Sequence, residues 1–289
     1  MYTYKRINLK KNTIEIVLKV PKEDIAKEYE VSFKKLMQEL AVEGFRKGKV
    51  PKDIAVKHLN RDLVYDHLIR SYIPRVYSEI VQKEDLKPII SPRIDFAKAK
   101  ENEDWELNFT TALAPTVNLG KYKEKIQAAK KELAKSDIWI PGKSKEPTPE
   151  EKEKRKQAEF QAGLQALLTE AKVEIADVIL DEEVEKRLAK LVDDVQKVGL
   201  TMDAYLKSKN ITKEQLSSQI RNEIEESYKI EFLLQEIADS ENIKVEQADL
   251  DRIFATIKDE KEKESAKKNA YYYAAVLRKQ KTLDYINSL

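Results

Sequence analysis

Nine consecutive residues, Gly44-Phe45-Arg46-Lys47-Gly48-Lys49-Val50-Pro51-Lys52, join an aromatic to four cations with no carboxylate among them. Arg46 can fork two hydrogen bonds to a carboxylate or phosphate, Lys47 is a mobile point charge, and Phe45 can enter an apolar pocket. This is recognition chemistry, suited to docking on an acidic partner. Gly44 and Gly48 free the backbone for positive φ, while Val50-Pro51 biases the chain out of helix and offers Pro51 as the start of another. A tight loop between two helices is expected. An ordinary solvated basic turn is the alternative reading of these nine residues, although such a turn does not need the aromatic and the two glycines together with the charges.

Bond-making chemistry has less to stand on. The chain has no cysteine, which removes thiol nucleophiles, disulfides and sulfur-ligated metals. His58 and His67 are the only histidines, nine apart, and lack the spacing that two ligands on one helix face require. The carboxylate pairs Glu182-Glu183, Asp193-Asp194 and Glu225-Glu226 fall on charged helical stretches whose solvated faces explain them. No glycine-rich phosphate loop, nucleophile elbow or zincin helix occurs. No catalytic residue, cofactor or metal is expected.

The elements around the loop follow from periodicity. Residues 2–9 and 13–20 read as strands joined by a turn at Lys11-Asn12, with clean alternation in the second. After Pro21, Ile25, Tyr29, Phe33, Leu36, Met37 and Leu40 recur every three or four residues, the stripe of a helix of about five turns that the Gly44 loop ends. A short helix runs from Pro51 to about His58. A longer one from Asp62 points Leu63, Ile69, Tyr72, Val76 and Ile80 inward, with a kink at Pro74. Trp105, Leu107, Phe109, Thr111 and Leu113 alternate with polar or small residues as a half-buried strand, giving ββαααβ for the first 118 residues.

Residues 121–147 change character, being Lys-rich and then carrying two prolines without sustained period; they read as a linker with one short helix near 123–135. Thr148-Pro149-Glu150-Glu151 supplies an N-cap, a proline at the first helical position and a capping-box acid. From there all is helical: 149–171, 182–198 closed by Gly199, 202–209, 213–238 opened by the Thr212/Gln215 box, and two more near 246–260 and 265–287. The fold class is thus an α+β N-terminal domain (1–120), a linker (121–147) and an all-α elongated domain (148–289).

At 289 residues the chain exceeds one small core, and 37% charged residues with 41% hydrophobic ones describe a helix-rich globular protein. The 54 cations and 52 anions nearly cancel. Residues 1–120 hold 22 Lys+Arg against 18 Asp+Glu, so an acidic partner would meet that part. The N-terminus lacks the apolar core of a secretory signal, and no run approaches the ~18 apolar residues of a membrane span. A cytoplasmic protein is expected.

Gly44-Phe45-Arg46-Lys47-Gly48-Lys49-Val50-Pro51 resembles the ribosome-docking loop of the bacterial trigger factor family, chaperones that receive nascent chains at the ribosomal tunnel exit. The likeness extends through Ile73-Pro74-Arg75-Val76-Tyr77, Pro88, Ile94-Asp95-Phe96 and the strand from Trp105 into Pro115 to Tyr122; it is looser in the helical part, as at Ala166-Leu167-Leu168, Val184 to Val198 and Leu277 to Ile286. It implies that Gly44, Phe45, Arg46, Lys47, Gly48 and Lys49 bind the large ribosomal subunit, with Phe45, Arg46 and Lys47 on a ribosomal protein and Lys49 and Lys52 near ribosomal RNA. Weak homodimerisation off the ribosome is also in keeping with it.

Family members commonly insert a prolyl isomerase domain between the docking and helical domains. Here only residues 121–147 occupy that place, and 27 residues cannot enclose a core when autonomous domains rarely fall below about 50. The expected function is an ATP-independent chaperone that docks at the tunnel exit and shields unfolded nascent polypeptides in a cradle formed with the helical domain. A residual prolyl isomerase, a ribosome-free holdase and an RNA-binding protein stand as alternatives. Client contacts call for exposed, dispersed apolar side chains, for which Met202, Tyr205, Ile211, Tyr271, Tyr272 and Tyr273 are the choices; at least one of three consecutive helical tyrosines must pack inward.

Overall fold

A computed structural model describes residues 2–136 and 148–289. They form two compact units, one of residues up to Ala114 with Ala176–Ile179, the other of Pro115–Ile175 and Leu180–Leu289. The connector expected at residues 139–147 lies outside the described residues.

In the first unit, β1 (Thr3–Asn8), β2 (Thr13–Val20), β3 (Arg93–Lys98) and β4 (Trp105–Ala112) make an antiparallel sheet of order β1-β2-β4-β3. The alternation in β2 sends Ile14, Ile16, Leu18 and Val20 to one face, and register sets Ile16 against Phe109, Leu18 against Leu107 and Val20 against Trp105. Each such side chain contributes about 1.5–3 kcal/mol by leaving water. The turn residues Lys11 and Asn12 both take positive φ, as a tight hairpin connection requires.

Helices α1 (Lys22–Glu39), α2 (Lys52–His58) and α3 (Arg61–Lys83) follow. Asn60 caps α3 by accepting the Asp62 N–H at 3.1 Å, which sets the phase of the helix. Val64, Leu68, Tyr72, Val76 and Ile80 then fall every fourth residue and are buried. Leu63, expected inward, lies one residue off that stripe and is 50% exposed. The helix continues through Pro74. Pro74 faces solvent, while burial of Ile73, Val76 and Tyr77 beside it offsets the lost backbone hydrogen bond.

β3 was not legible from periodicity. It is a sheet edge whose residues are exposed except for half-buried Ile94, and its pairing slips at a bulge between Phe96 and Lys98.

The second unit begins with β5 (Val117–Asn118) and α4 (Tyr122–Ser136), followed by α5 (Pro149–Glu170), β6 (Lys172–Val173) and, from Leu180 on, α6 (Asp177–Lys197), whose first residues count with the first unit. It continues with α7 (Met202–Lys209), α8 (Lys213–Ser240), α9 (Gln247–Thr256), α10 (Glu260–Lys268) and α11 (Ala270–Ser288). Both expected capping boxes form: the Glu151 and Gln215 N–H groups donate to Thr148 and Thr212, and their side chains accept from the Thr148 and Thr212 N–H groups. Helix α6 begins five residues before the expected Glu182, because Ile179 and Leu180 are buried and extend its apolar stripe. The final expected helix is two, α10 and α11, meeting at Asn269.

Helix α4 packs on α5 and is tied to α11. Buried Ile126 and Leu167 belong to this helix pair, where Gly163 lets the two approach so closely that an added Cβ would meet Ile126 at 3.4 Å. Lys130 Nζ donates to the Ile286 and Asn287 carbonyls at 3.0 and 2.7 Å, capping the C-terminal end of α11 with a cation. Burial holds this ammonium below its ordinary range.

Candidate functional site

The loop after α1 is built from two successive β-turns. The Phe45 N–H donates to the Val42 carbonyl at 3.0 Å and the Lys49 N–H to the Arg46 carbonyl at 2.9 Å. Gly44 (φ +86°) and Gly48 (φ +76°) are each third in their turn, where positive φ favours glycine. Gly48 has a further constraint: a Cβ there would lie 2.9 Å from the Gln38 carbonyl oxygen.

The two turns meet between Phe45 and Arg46, so Phe45, Arg46 and Lys47 form the tip. Phe45 is 39% exposed, and Arg46, Lys47 and Lys49 are exposed with no ion pair among the described residues. The base is fixed. Val50, 4% exposed, joins Phe33, Ala55, Leu59 and Val64 in a small core beneath the loop, with Leu40 and Val42 packed against it. Lys52 is committed elsewhere, 3.3 Å from Glu30 and above the Phe33 ring at 5.9 Å. Three free cations and an aromatic on a rigid base can desolvate one ring against a partner while the guanidinium forks to a carboxylate or phosphate.

The apolar residues chosen for client contact separate into two sets. Met202, Tyr205 and Ile211 are half-buried around Val184, Leu216 and Ile220, where they join α6, α7 and α8. Tyr273 packs edge-on to Phe254 with centroids 5.6 Å apart. Tyr271 and Tyr272 are 90% and 65% exposed, so one tyrosine of the three packs and two face solvent.

Other exposed apolar residues were not singled out from sequence. Val198 and Leu200 flank Gly199 at the end of α6, and Val276 follows the tyrosines on α11. Val198-Gly199-Leu200 carried a usable signal: apolar residues on both sides of a helix-ending glycine.

Below Tyr271 an open groove of about 560 Å³ runs between α8 and α11 over Leu234, Ala238, Ile243 and Ala274. Most of its rim charges are paired: Lys279 pairs with Glu231, and Arg278 donates to Asp239 at 2.6 Å and to the Ile243 carbonyl at 2.9 Å, while Lys244 also lines it without an ion pair among the described residues. An apolar floor with a mostly paired rim suits an apolar, extended segment.

Two family models match. One, described as bacterial trigger factor protein, covers residues 3–139; the other, its C-terminus, covers residues 144–287. Among curated relatives, the trigger factor of Natranaerobius thermophilus is 28% identical over 137 residues, 47% of this chain and 30% of that protein. The trigger factor of Staphylococcus aureus strain JH9 is 31% identical over 122 residues, 42% of this chain and 28% of that protein. The chain thus aligns with less than a third of the length of these relatives. A solved structure from work on promiscuous substrate recognition in folding and assembly by the trigger factor chaperone has the same fold, with TM-score 0.63, 14% identity and 99% of both chains covered.

Proposed function

The chain belongs to the bacterial trigger factor family, and we propose that it is an ATP-independent chaperone that docks at the ribosomal tunnel exit and shields unfolded nascent segments. The observation that carries this reading is the double turn, which holds Phe45, Arg46 and Lys47 outward on a buried base with their charges unspent. Ribosome docking is assigned to residues 1–120 through Gly44, Phe45, Arg46, Lys47, Gly48 and Lys49. Client holding is assigned to residues 148–289, with Tyr271 and Tyr272 as surface contacts. Residues 121–147 stand where other family members carry the isomerase domain.

The reading does not include prolyl isomerisation. The two family matches leave only residues 140–143 between them, far short of a domain core. Among the described residues no helix is long and apolar enough to cross a membrane, and a cytoplasmic location belongs to the same proposal. Weak self-association off the ribosome belongs to the same proposal.

Co-sedimentation with purified bacterial 70S ribosomes tests the docking half. Wild type should pellet with ribosomes, and Phe45→Ala/Arg46→Ala/Lys47→Ala should remain in the supernatant; equal pelleting would remove the loop from the proposal.

A further inference from the structure

A second groove lies in the first unit. It encloses about 600 Å³ and is walled by Ile25, Ala26 and Tyr29 of α1, Arg61 and Tyr65 of α3, and the 101–103 turn before β4. Its floor is aromatic. Tyr29 and Tyr65 pack with centroids 4.9 Å apart and planes tilted by 54°, and Tyr65 continues to Trp105 at 6.0 Å. Trp105 is fixed by donating from Nε1 to the Lys100 carbonyl at 3.1 Å, so the three rings form a braced ladder.

The charges around this floor do not balance. Glu23, Glu30, Glu101 and Glu103 line it against Lys22 and Arg61. Glu101 is met by Arg61 at 3.6 Å and Glu30 by Lys52 at 3.3 Å. Glu23 and Glu103 are exposed and have no ion pair among the described residues; the exposed Lys22 ammonium has none either, so four carboxylates face three cations (Lys22, Arg61 and Lys52) and one negative charge is left over. Arg61 already sets a guanidinium at the mouth, close enough that its charge acts on both tyrosine hydroxyls against the upward push of burial.

Aromatic faces beside unspent carboxylates suit a planar, weakly hydrated cation. A guanidinium stacks on tyrosine and forks to a carboxylate, whereas an ammonium is a strongly hydrated point charge. An acidic segment would meet Glu23 and Glu103 with like charge, and a purely apolar one would leave both carboxylates unused. We propose that this groove binds an arginine side chain of an unfolded client segment, with Tyr29 and Tyr65 taking its face and Glu23 and Glu103 its charge. The assignment of the occupant rests on the client-holding function proposed above.

The test uses the full chain and two synthetic peptides, one with three arginines interleaved with phenylalanines and one with citrulline, isosteric but neutral, at each arginine. Isothermal titration at moderate salt should show the arginine peptide binding roughly tenfold more tightly. Glu23→Lys/Glu103→Lys should abolish that preference, while Glu185→Lys/Asp193→Lys, an equal charge change on exposed α6 positions, should preserve it. The proposal is overturned if the wild type shows no preference, if Glu23→Lys/Glu103→Lys retains it, or if both double variants lose it, the last meaning that overall charge attracts the peptide.

Suppression of aggregation of a denatured client, measured on the same wild-type protein, separates the two proposals. A preference that follows Glu23 and Glu103 without any suppression supports the arginine groove and overturns the client as its occupant. Suppression without a preference overturns the groove and leaves client holding standing.

Discussion

The Tyr122 hydroxyl donates to Glu241 Oε1 at 2.9 Å across 119 positions of sequence, and the same carboxylate accepts from Tyr285 at 2.9 Å while Lys123 lies 2.7 Å away. One carboxylate therefore ties the start of α4, the end of α8 and the last turns of α11. Tyr122→Phe removes one of these hydrogen bonds without opening a cavity and should cost about 1 kcal/mol, read as a lower urea midpoint at unchanged slope.

The same junction makes stability depend on acid. The Glu241 carboxyl is held below its ordinary value of 4.5 first by the Lys123 ammonium and then by the Tyr122 hydroxyl. Folding thus weakens its hold on the proton. Its contribution is complete above about pH 4.5 and is lost as pH falls through the lower folded value. Urea midpoints of wild type and Glu241→Gln should differ at pH 7 and converge as pH falls through the lowered folded value; a constant gap would remove Glu241 from the acid response.

Gly44→Ala and Gly48→Ala should behave differently although both glycines have positive φ. At Gly44 the new Cβ meets nothing, leaving a backbone cost of about 1–2 kcal/mol. At Gly48 the Gln38 carbonyl stands 2.9 Å from that Cβ, so the loop must shift. Thermal melts should place Gly48→Ala below Gly44→Ala, and its ribosome affinity should fall further.

Among the cations, contribution to docking should follow freedom and not count. Arg46→Ala, Lys47→Ala and Lys49→Ala should each weaken ribosome binding and flatten its salt dependence. Lys52→Ala, whose charge already faces Glu30, should change it less than twofold. Co-sedimentation across a salt series reads all four; a Lys52→Ala loss equal to that of Arg46→Ala would contradict the tip geometry.

The three tyrosines of α11 should divide by role. Tyr271→Ser/Tyr272→Ser should leave the melting temperature within 2 °C and reduce suppression of client aggregation by about half. Tyr273→Ala removes the edge-on contact with Phe254 and should cost about 2–3 kcal/mol. Client capture lost only with Tyr273→Ala would reassign these residues to structure.

Much of this was legible in the residues. Alternation in β2 and β4, the Thr148 and Thr212 boxes and the glycine pair around Phe45 each leave a local signature, and local geometry follows it. Leu63 escaped because a helix stripe can be read one residue out of phase until its cap is known. β3 escaped because an edge strand buries almost nothing and so has no alternation to display. The ladder from Tyr29 through Tyr65 to Trp105 joins three distant segments, and no short spacing encodes it. Met202, Tyr205 and Ile211 have the composition of exposed client contacts, yet the junction of three helices half-buries them.

Several of the polar bonds that join helices of the second unit end on α11. Lys130, Asp239, the Ile243 carbonyl and Asp249 take partners between Arg278 and Asn287, and Glu241, already met by Tyr122 and Lys123, adds Tyr285. A chain made from its N-terminus synthesises that helix after every element it fastens. The double turn and its supporting core need nothing beyond Val64. During its own synthesis the protein would therefore make the double turn and its supporting core well before the bonds to α11, the last of which, from Lys130 to the Asn287 carbonyl, forms only after translation has passed residue 287.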